Sequence, residues 1–176
     1  VLLVGAFAFV KLINPKISSN TKKETVNTKK ETVATLIPYR KGDKWGFCDW
    51  NKKIVIQPVY DNAYPFSEGL ARVRLKGKWG FIDKKGNIVI QPVYDYAYPF
   101  SEGLAGVIIN GKWGFFIDKK GNIVIQPVYD MVDYFSEGLA GVRINGKYGF
   151  IDKKGNIVIQ PVYDWVAYFS EGLAGV

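Results

Sequence analysis

Apolar and polar residues alternate along segment 71–75, the pattern of a β-strand with one face turned inward. Segment 78–83 alternates in the same way and places Trp79 and Phe81 on one face. Segment 87–91 is rich in β-branched residues, which favour strands. The pattern therefore predicts three short strands in succession.

Turn signals separate the predicted strands. Lys76-Gly77 lies between the first two, and the equivalent pairs Asn110-Gly111 and Asn145-Gly146 are strong signals for a two-residue hairpin. Segment 83–86 (Asp-Lys-Lys-Gly) suits a type I turn closed by a left-handed glycine. We therefore expect a three-stranded antiparallel meander.

Pro92 marks the far side of the third strand. Because proline has no backbone N–H, it either ends this strand or confines it to the edge of a sheet. Residues 93–103 carry further aromatic side chains and a Ser-Glu-Gly triplet. We interpret them as an ordered crossover to the next unit.

The same pattern recurs along the chain. The glycine that follows an aromatic residue falls at Gly46, Gly80, Gly114 and Gly149, in steps of 34, 34 and 35 residues. Such a period indicates one supersecondary unit stacked on copies of itself. The units are expected at about 36–70, 71–104, 105–139 and 140–173, followed by the truncated start of a fifth.

The predicted fold is therefore an all-β tandem array of ~34-residue, three-stranded meanders. We expect an elongated, solenoid-like stack, and a closed, propeller-like arrangement is the alternative. Two units depart from the consensus. Lys52 replaces the turn glycine in the first, and Phe115-Phe116 adds one residue in the third, which would reverse the facing of the strand unless a β-bulge absorbs it.

The segments before the array differ in composition. Residues 1–13 are apolar apart from Lys11 and are expected to be part of a membrane anchor or signal segment; a hydrophobic start of a soluble protein is the alternative. Residues 14–38 are Lys/Thr-rich and are expected to be a disordered linker to the array at 39–176. This order predicts a protein anchored in the membrane or exported, with membrane contact only through the N-terminal segment.

The amino-acid composition limits the kinds of chemical site that the chain can form. The chain has no histidine, and Cys48 is its single cysteine, so neither an intrachain disulfide nor a Cys/His zinc site can form. The net charge of +8 divides into +4 within residues 1–38 and +4 within 39–176, where both signs are intermixed. Such a surface is not a phosphate-binding stripe, so no nucleic-acid partner is expected. No cofactor is expected either, since no P-loop, nucleophile elbow or dinucleotide glycine pattern occurs.

The repeated core resembles the bacterial WG β-repeat family. Its marks are an aromatic-Gly-Phe-Ile-Asp core, a glycine turn, an Ile-Val run and Pro-x-Tyr-Asp, as in segment 79–95. The resemblance covers residues 39–176, and Tyr148 departs from the family's tryptophan. It implies a tandem β-repeat module with a binding or scaffolding role and no reaction.

An aromatic column is the first candidate site. An aromatic that recurs along an elongated surface can stack on sugar rings or peptide chains. Packing in the core is the favoured interpretation, since the adjacent glycine leaves room for a large ring. The candidate ligand-contact residues are Trp45, Trp79, Trp113 and Tyr148.

Acidic side chains also recur in each unit. The Asp-Lys-Lys-Gly-Asn turns at Asp83, Asp118 and Asp152 resemble a calcium loop only in outline, because lysines occupy the intervening positions. Carboxylates at Tyr-Asp and Ser-Glu-Gly offer pairs of the kind that glycosidases use, but capping and turn roles explain them more simply. These carboxylates are Asp61, Asp95, Asp130, Asp164, Glu68, Glu102, Glu137 and Glu171.

The sequence thus favours a non-catalytic repeat module for protein–protein interaction or scaffolding, displayed outside the cytoplasm. Weak identical sites along a rigid array would gain avidity on a repeating partner. The alternatives are a repeat array that binds cell-wall glycan, and the targeting array of a larger enzyme.

Overall fold

The computed structural model describes residues 9–10, 35–126 and 128–176. Within the described residues, no helix has the length and apolar character that crossing a membrane requires. The strands are β1 (Phe9–Val10), β2 (Ile37–Lys41), β3 (Lys44–Cys48), β4 (Ile54–Tyr60), β5 (Asn62–Ala63), β6 (Ala71–Leu75), β7 (Lys78–Ile82), β8 (Ile88–Tyr94), β9 (Tyr96–Ala97), β10 (Ala105–Ile109), β11 (Lys112–Ile117), β12 (Ile123–Ile125), β13 (Met131–Val132), β14 (Leu139–Ile144), β15 (Lys147–Asp152), β16 (Ile157–Tyr163) and β17 (Ala174–Gly175).

The array consists of small antiparallel sheets, one per repeat. Their strand orders are β2-β3-β4, β5-β6-β7-β8, β9-β10-β11-β12 and β13-β14-β15-β16. The all-β tandem fold is confirmed, but the sheets after the first have four strands rather than three. The additional strand (β5, β9 or β13) belongs to the predicted crossover, where it pairs with the first hairpin strand of the next repeat.

Each hydrophobic core lies between two successive repeats. Phe81 of the second repeat packs with Val107 and Ile117 of the third. Val73 and Ile82, on the opposite face of the same sheet, pack with the first repeat. Each sheet therefore contributes one face to the preceding core and the other to the following core. Among residues 35–126 and 128–176 the sheets form an open stack, and no strand pairing closes it into a ring or barrel.

The third strand runs through the proline. In the second repeat, β8 continues past Pro92 to Tyr94, so the proline does not end it. Trp79 pairs with Tyr94 and Phe81 with Ile90, so three residues of β7 face five of β8 across a bulge. The predicted edge position is confirmed, since β8 is the outer strand of its sheet. The bulge is what accommodates a residue without an N–H.

The predicted turns are confirmed. Lys76 and Gly77 have φ values of 51° and 80°, the positive pair that a type I′ hairpin requires. Glu68 and Gly69 form a second turn of the same kind, with φ values of 51° and 90°. In the type I turn the Asp83 carboxylate accepts hydrogen bonds from two backbone N–H groups ahead of it in the chain. Gly86 closes that turn with a φ of 87°.

The extra residue of the third repeat is absorbed by a β-bulge, as predicted. Val107 pairs with Phe115 and Ile109 with Lys112, so β11 has one more residue than β10 in this interval. Gly114 lies at the bulge with a φ of 94°. Phe116 is fully buried and thus takes the place that Phe81 has in the second repeat.

Polar contacts also join successive repeats. The Ser101 hydroxyl donates a hydrogen bond of 2.6 Å to the Phe135 carbonyl, and equivalent serines do the same in the repeats on either side. The Glu102 carboxylate accepts a hydrogen bond from the Gly138 N–H and forms an ion pair with Lys153. These hydrogen bonds and ion pairs therefore connect each repeat to the next along the same side of the array.

The start of the array differs slightly from its predicted boundary. Strand β2 begins at Ile37 and Leu36 is buried in the first core, so the array reaches into the last residues of the predicted linker. Residues 9–10 of the predicted anchor or signal segment form β1, which pairs antiparallel with β17. The predictions for the rest of residues 1–34 lie outside the described residues.

Candidate functional site

The aromatic column lies on the second hairpin strand of each repeat. Trp79 is buried, with 6% of its surface exposed, whereas Trp45, Trp113 and Tyr148 are half-buried. Trp79 packs against the core between the second and third repeats. These side chains therefore do not form a continuous exposed platform.

The crossover segments add aromatic side chains that were not singled out from the sequence. Tyr64 and Tyr96 flank Trp79, with ring centroids 5.8 and 6.0 Å away. Trp165, in the equivalent segment of the last repeat, is 53% exposed. The available sequence signal was variation between copies, because the residue types at these positions change from repeat to repeat.

Arg72 fills a cage formed by these rings. Its guanidinium carbon lies 3.9 Å from the ring centroid of Tyr64, 5.4 Å from that of Trp79 and 5.6 Å from that of Tyr96. The guanidinium also donates hydrogen bonds to the Ala97 carbonyl at 2.5 Å and the Tyr96 hydroxyl at 3.3 Å. We call this set of contacts the Arg72 cage. It shows that a groove between two repeats holds a cation against aromatic faces.

A cavity of about 200 Å³ lies in the groove at the fourth repeat. It is lined by aromatic rings, aliphatic side chains, a thioether and a single carboxylate, that of Asp133. We call it the inter-repeat cavity, and its lining residues are Tyr98, Met131, Val132, Asp133, Gly141, Tyr148, Trp165 and Val166.

Two of the Tyr-Asp carboxylates, those of Asp61 and Asp95, cap hairpins. Asp61 accepts a hydrogen bond from the Gly77 N–H and forms an ion pair of 2.7 Å with Lys44. The Lys44 ammonium, and after it the Gly77 N–H, lower the pKa of Asp61. Asp95 has the same arrangement with Lys78 and the Gly111 N–H. The capping interpretation accounts for these contacts.

In the Asp-Lys-Lys-Gly-Asn turns, the aspartate carboxylates accept hydrogen bonds from residues of the same turn. The Asn87 side-chain amide donates to Asp83 at 2.8 Å, and this hydrogen bond lowers the pKa of Asp83. Asp118 and Asn122 repeat the contact. Within residues 35–126 and 128–176, no group of three or more acidic, Cys or His side chains has the geometry to hold a metal ion.

The second, third and fourth repeats share most of their scaffold and differ in the grooves. Residues 82–95, 117–130 and 151–164 have the same fourteen-residue sequence. By contrast, the position of Arg72 is glycine in the three later repeats, and the positions of Tyr64 and Tyr96 also change. The expectation of identical sites is therefore wrong for the grooves, because residues in their walls differ from copy to copy.

The family comparison agrees with this architecture. The model of the WG containing repeat matches residues 45–79, 79–113, 115–148 and 148–176. The chain therefore belongs to the WG containing repeat family, a family of tandem β-repeats. No curated protein matches the chain.

Proposed function

We propose that the array is a non-catalytic module for protein–protein interaction, which binds its partner along the grooves between repeats. The observation that carries this proposal is that groove residues change from copy to copy, whereas residues 82–95, 117–130 and 151–164 are identical. Turns, caps and cores account for the shared residues, but no packing requirement accounts for a surface that changes from copy to copy. Such variation suits a partner whose own surface is irregular, as a protein surface is.

Groove chemistry supports the same proposal. Aromatic side chains are enriched at protein interfaces because they bury a large area at low conformational cost. Trp165 is the most exposed of the groove aromatics that line the inter-repeat cavity, which makes it the best single probe. Glycan binding by the aromatic column is the weaker candidate, since its members are buried or half-buried and offer no row of open ring faces.

The test uses the full chain and two matched tryptophan variants. Wild type, Trp165→Ala and Trp50→Ala are immobilised and exposed to a protein extract of the source cells and to a cell-wall preparation. Trp50 lies in the turn of the first repeat and is 71% exposed, so it controls for the loss of a surface tryptophan. The proposal expects one discrete protein retained by wild type and Trp50→Ala and lost with Trp165→Ala. Retention of cell-wall glycan with the same dependence on Trp165 would replace it by the glycan alternative.

Display outside the cytoplasm is part of the proposal, and its support is the apolar composition of residues 1–13. Protease treatment of intact cells checks it. We expect the array to be cleaved without lysis, and protection until the cells are opened would contradict this part of the proposal.

A further inference from the structure

The Arg72 cage and the inter-repeat cavity occupy the same position in two different repeats. The Tyr64 N–H donates to the Arg72 carbonyl at 3.1 Å, and the Asp133 N–H donates to the Gly141 carbonyl at 2.9 Å. On the other side, Arg72 pairs with Phe81 of its sheet, as Gly141 pairs with the equivalent phenylalanine of the fourth. Gly141 therefore stands where Arg72 stands, and Asp133 stands where Tyr64 stands.

The remaining walls correspond as well. Tyr148 takes the place of Trp79. Trp79 pairs with the arginine two residues after Arg72, and Tyr148 pairs with the arginine two residues after Gly141. Trp165 takes the place of Tyr96, because each directly follows the aspartate of a Tyr-Asp pair. Val166 follows Trp165 as Ala97 follows Tyr96, and it also lines the cavity. The cavity is thus a second cage whose arginine has been replaced by glycine.

We propose that the inter-repeat cavity binds the guanidinium group of an arginine side chain on the protein partner, in the place that Arg72 occupies in the second repeat. This inference rests on the proposed function, because it specifies the chemistry of the partner. Tyr148 and Trp165 supply aromatic faces, which attract cations. Met131 supplies a polarisable sulfur that adapts to the shape of its ligand.

Asp133 distinguishes this cavity from the Arg72 cage. A carboxylate replaces the Tyr64 ring there, and carboxylates bind guanidinium groups by charge-assisted, bidentate hydrogen bonds. One Asp133 oxygen accepts the Tyr134 N–H at 2.8 Å, and Asp133 takes part in no ion pair with the described residues. Arg143 is the neighbouring cation, with its guanidinium carbon 5.8 Å from the Tyr148 ring, and it does not line the cavity. The cavity therefore has a negative group and no cation of its own.

The other glycines at this position are covered by rings of the chain itself. A Cβ added at Gly106 would be 3.2 Å from the Tyr98 ring, and one added at Gly175 would be 3.4 Å from the Trp165 ring. At Gly141 no aromatic ring is closer than that of Phe150, at 4.0 Å. The nearer atoms at Gly141 are a Val166 methyl at 3.3 Å and the Asp133 Cβ at 3.7 Å, so in the fourth repeat an aliphatic side chain, and not a ring, lies over the glycine.

The direct test titrates the full chain with N-acetyl-arginine amide and, in parallel, with N-acetyl-citrulline amide, its uncharged isostere. We expect saturable NMR shifts of the Trp165 indole with a Kd on the order of 1 mM for the arginine compound. Citrulline should give none. Asp133→Asn should weaken binding roughly tenfold, because a charge-assisted contact becomes a neutral one. Trp50→Ala should bind as wild type. Equal binding of citrulline, or no saturation by the arginine compound, overturns the inference.

Two further variants change which site can bind arginine: one fills the inter-repeat cavity, and the other empties the Arg72 cage. Gly141→Arg combined with Val166→Ala restores the residues of the second repeat; the valine is changed because its methyl would lie 3.3 Å from the new Cβ. This variant should lose arginine binding by at least about tenfold. Arg72→Gly should open a second arginine site. Undiminished binding by a folded Gly141→Arg, Val166→Ala variant contradicts the inference. If that variant does not fold, the Asp133→Asn variant decides the question instead.

The two proposals fail in different ways. If arginine amide does not bind but protein capture still depends on Trp165, the inference fails and the proposed function stands. If arginine amide binds but no protein is captured in a Trp165-dependent way, the proposed function fails and a cation site without that role remains.

Discussion

Gly80 lies so close to Ile90 on the neighbouring strand that a Cβ on Gly80 would be 2.6 Å from the Ile90 carbonyl oxygen. The bulge at Pro92 brings the backbone of β8 over this glycine, and the equivalent glycines of the first and fourth repeats, Gly46 and Gly149, are in the same position. The glycine of the aromatic-Gly pair is therefore required by the proline bulge of the next strand.

Gly80→Ala should consequently displace β8 and lower the free energy of unfolding by about 3 kcal/mol. Gly141→Ala is the matched control. The nearest atom to its new Cβ would be a Val166 methyl at 3.3 Å, so a change below about 1 kcal/mol is expected. Equilibrium urea unfolding measures both. Equal losses in the two variants would show that close backbone approach is not the cause.

Lys52 has a φ of 62°, in the left-handed region that the later repeats assign to a glycine. Lys52→Gly should therefore raise the free energy of unfolding by about 0.5–1 kcal/mol, because a Cβ is strained in this conformation. Lys53→Gly, one residue further along, is the matched control and should have the opposite sign, since Lys53 has no positive φ to relieve. A thermal unfolding scan of both variants checks the prediction, and a loss of stability in Lys52→Gly would refute it.

The array should lose stability in acid. Lys78 lowers the pKa of Asp95, and the Asn87 amide lowers that of Asp83. Because these folded pKa values lie below the unfolded value of about 4, the contribution is complete above that pH and disappears as the pH falls through the folded values. Urea unfolding between about pH 7 and pH 2 should show this decline. Asp95→Asn should make it shallower, and an unchanged slope in that variant would contradict the assignment.

The serine contacts between repeats should contribute measurably to stacking. Ser101→Ala removes the hydrogen bond to the Phe135 carbonyl and should cost about 1 kcal/mol. Hydrogen exchange should accelerate in the turn at 135–139 before it does elsewhere. Ser170→Ala is the control, because no residue in the described part of the chain accepts a hydrogen bond from the Ser170 hydroxyl. Its effect should stay within about 0.5 kcal/mol, and equal effects of the two variants would disprove a stacking role.

Much of the fold was accessible from the sequence because each local signal recurs in register. Asn110-Gly111 has the positive φ pair of a type I′ turn, as predicted. The β-bulge at Gly114 was predicted from a single extra residue. Pro92 was predicted less completely, because the sequence contains no sign that the strand resumes after a bulge. The short strands were missed because two residues are too few to show a period.

The candidate site could be predicted from the sequence to a smaller extent, because folding brings its residues together from different parts of the chain. Trp79 repeats and could be found by its period, but the rings that complete its cage differ between copies. The contact between Arg72 and Tyr96 joins two sheets of the stack, and nothing in the local sequence of either residue indicates the other. The exchange of Arg72 for Gly141 is visible in the sequence, yet it becomes meaningful only when the rings around both positions are known.

The placement of every core between two repeats has an evolutionary consequence. Most of the residues that build these cores are shared by the copies, whereas several groove residues are not. A recombination event within the identical stretch 82–95 and its counterpart 117–130 would delete or duplicate one whole groove and still join compatible packing surfaces. Gene rearrangement can thus reorder the recognition surface of the array without redesigning its interior.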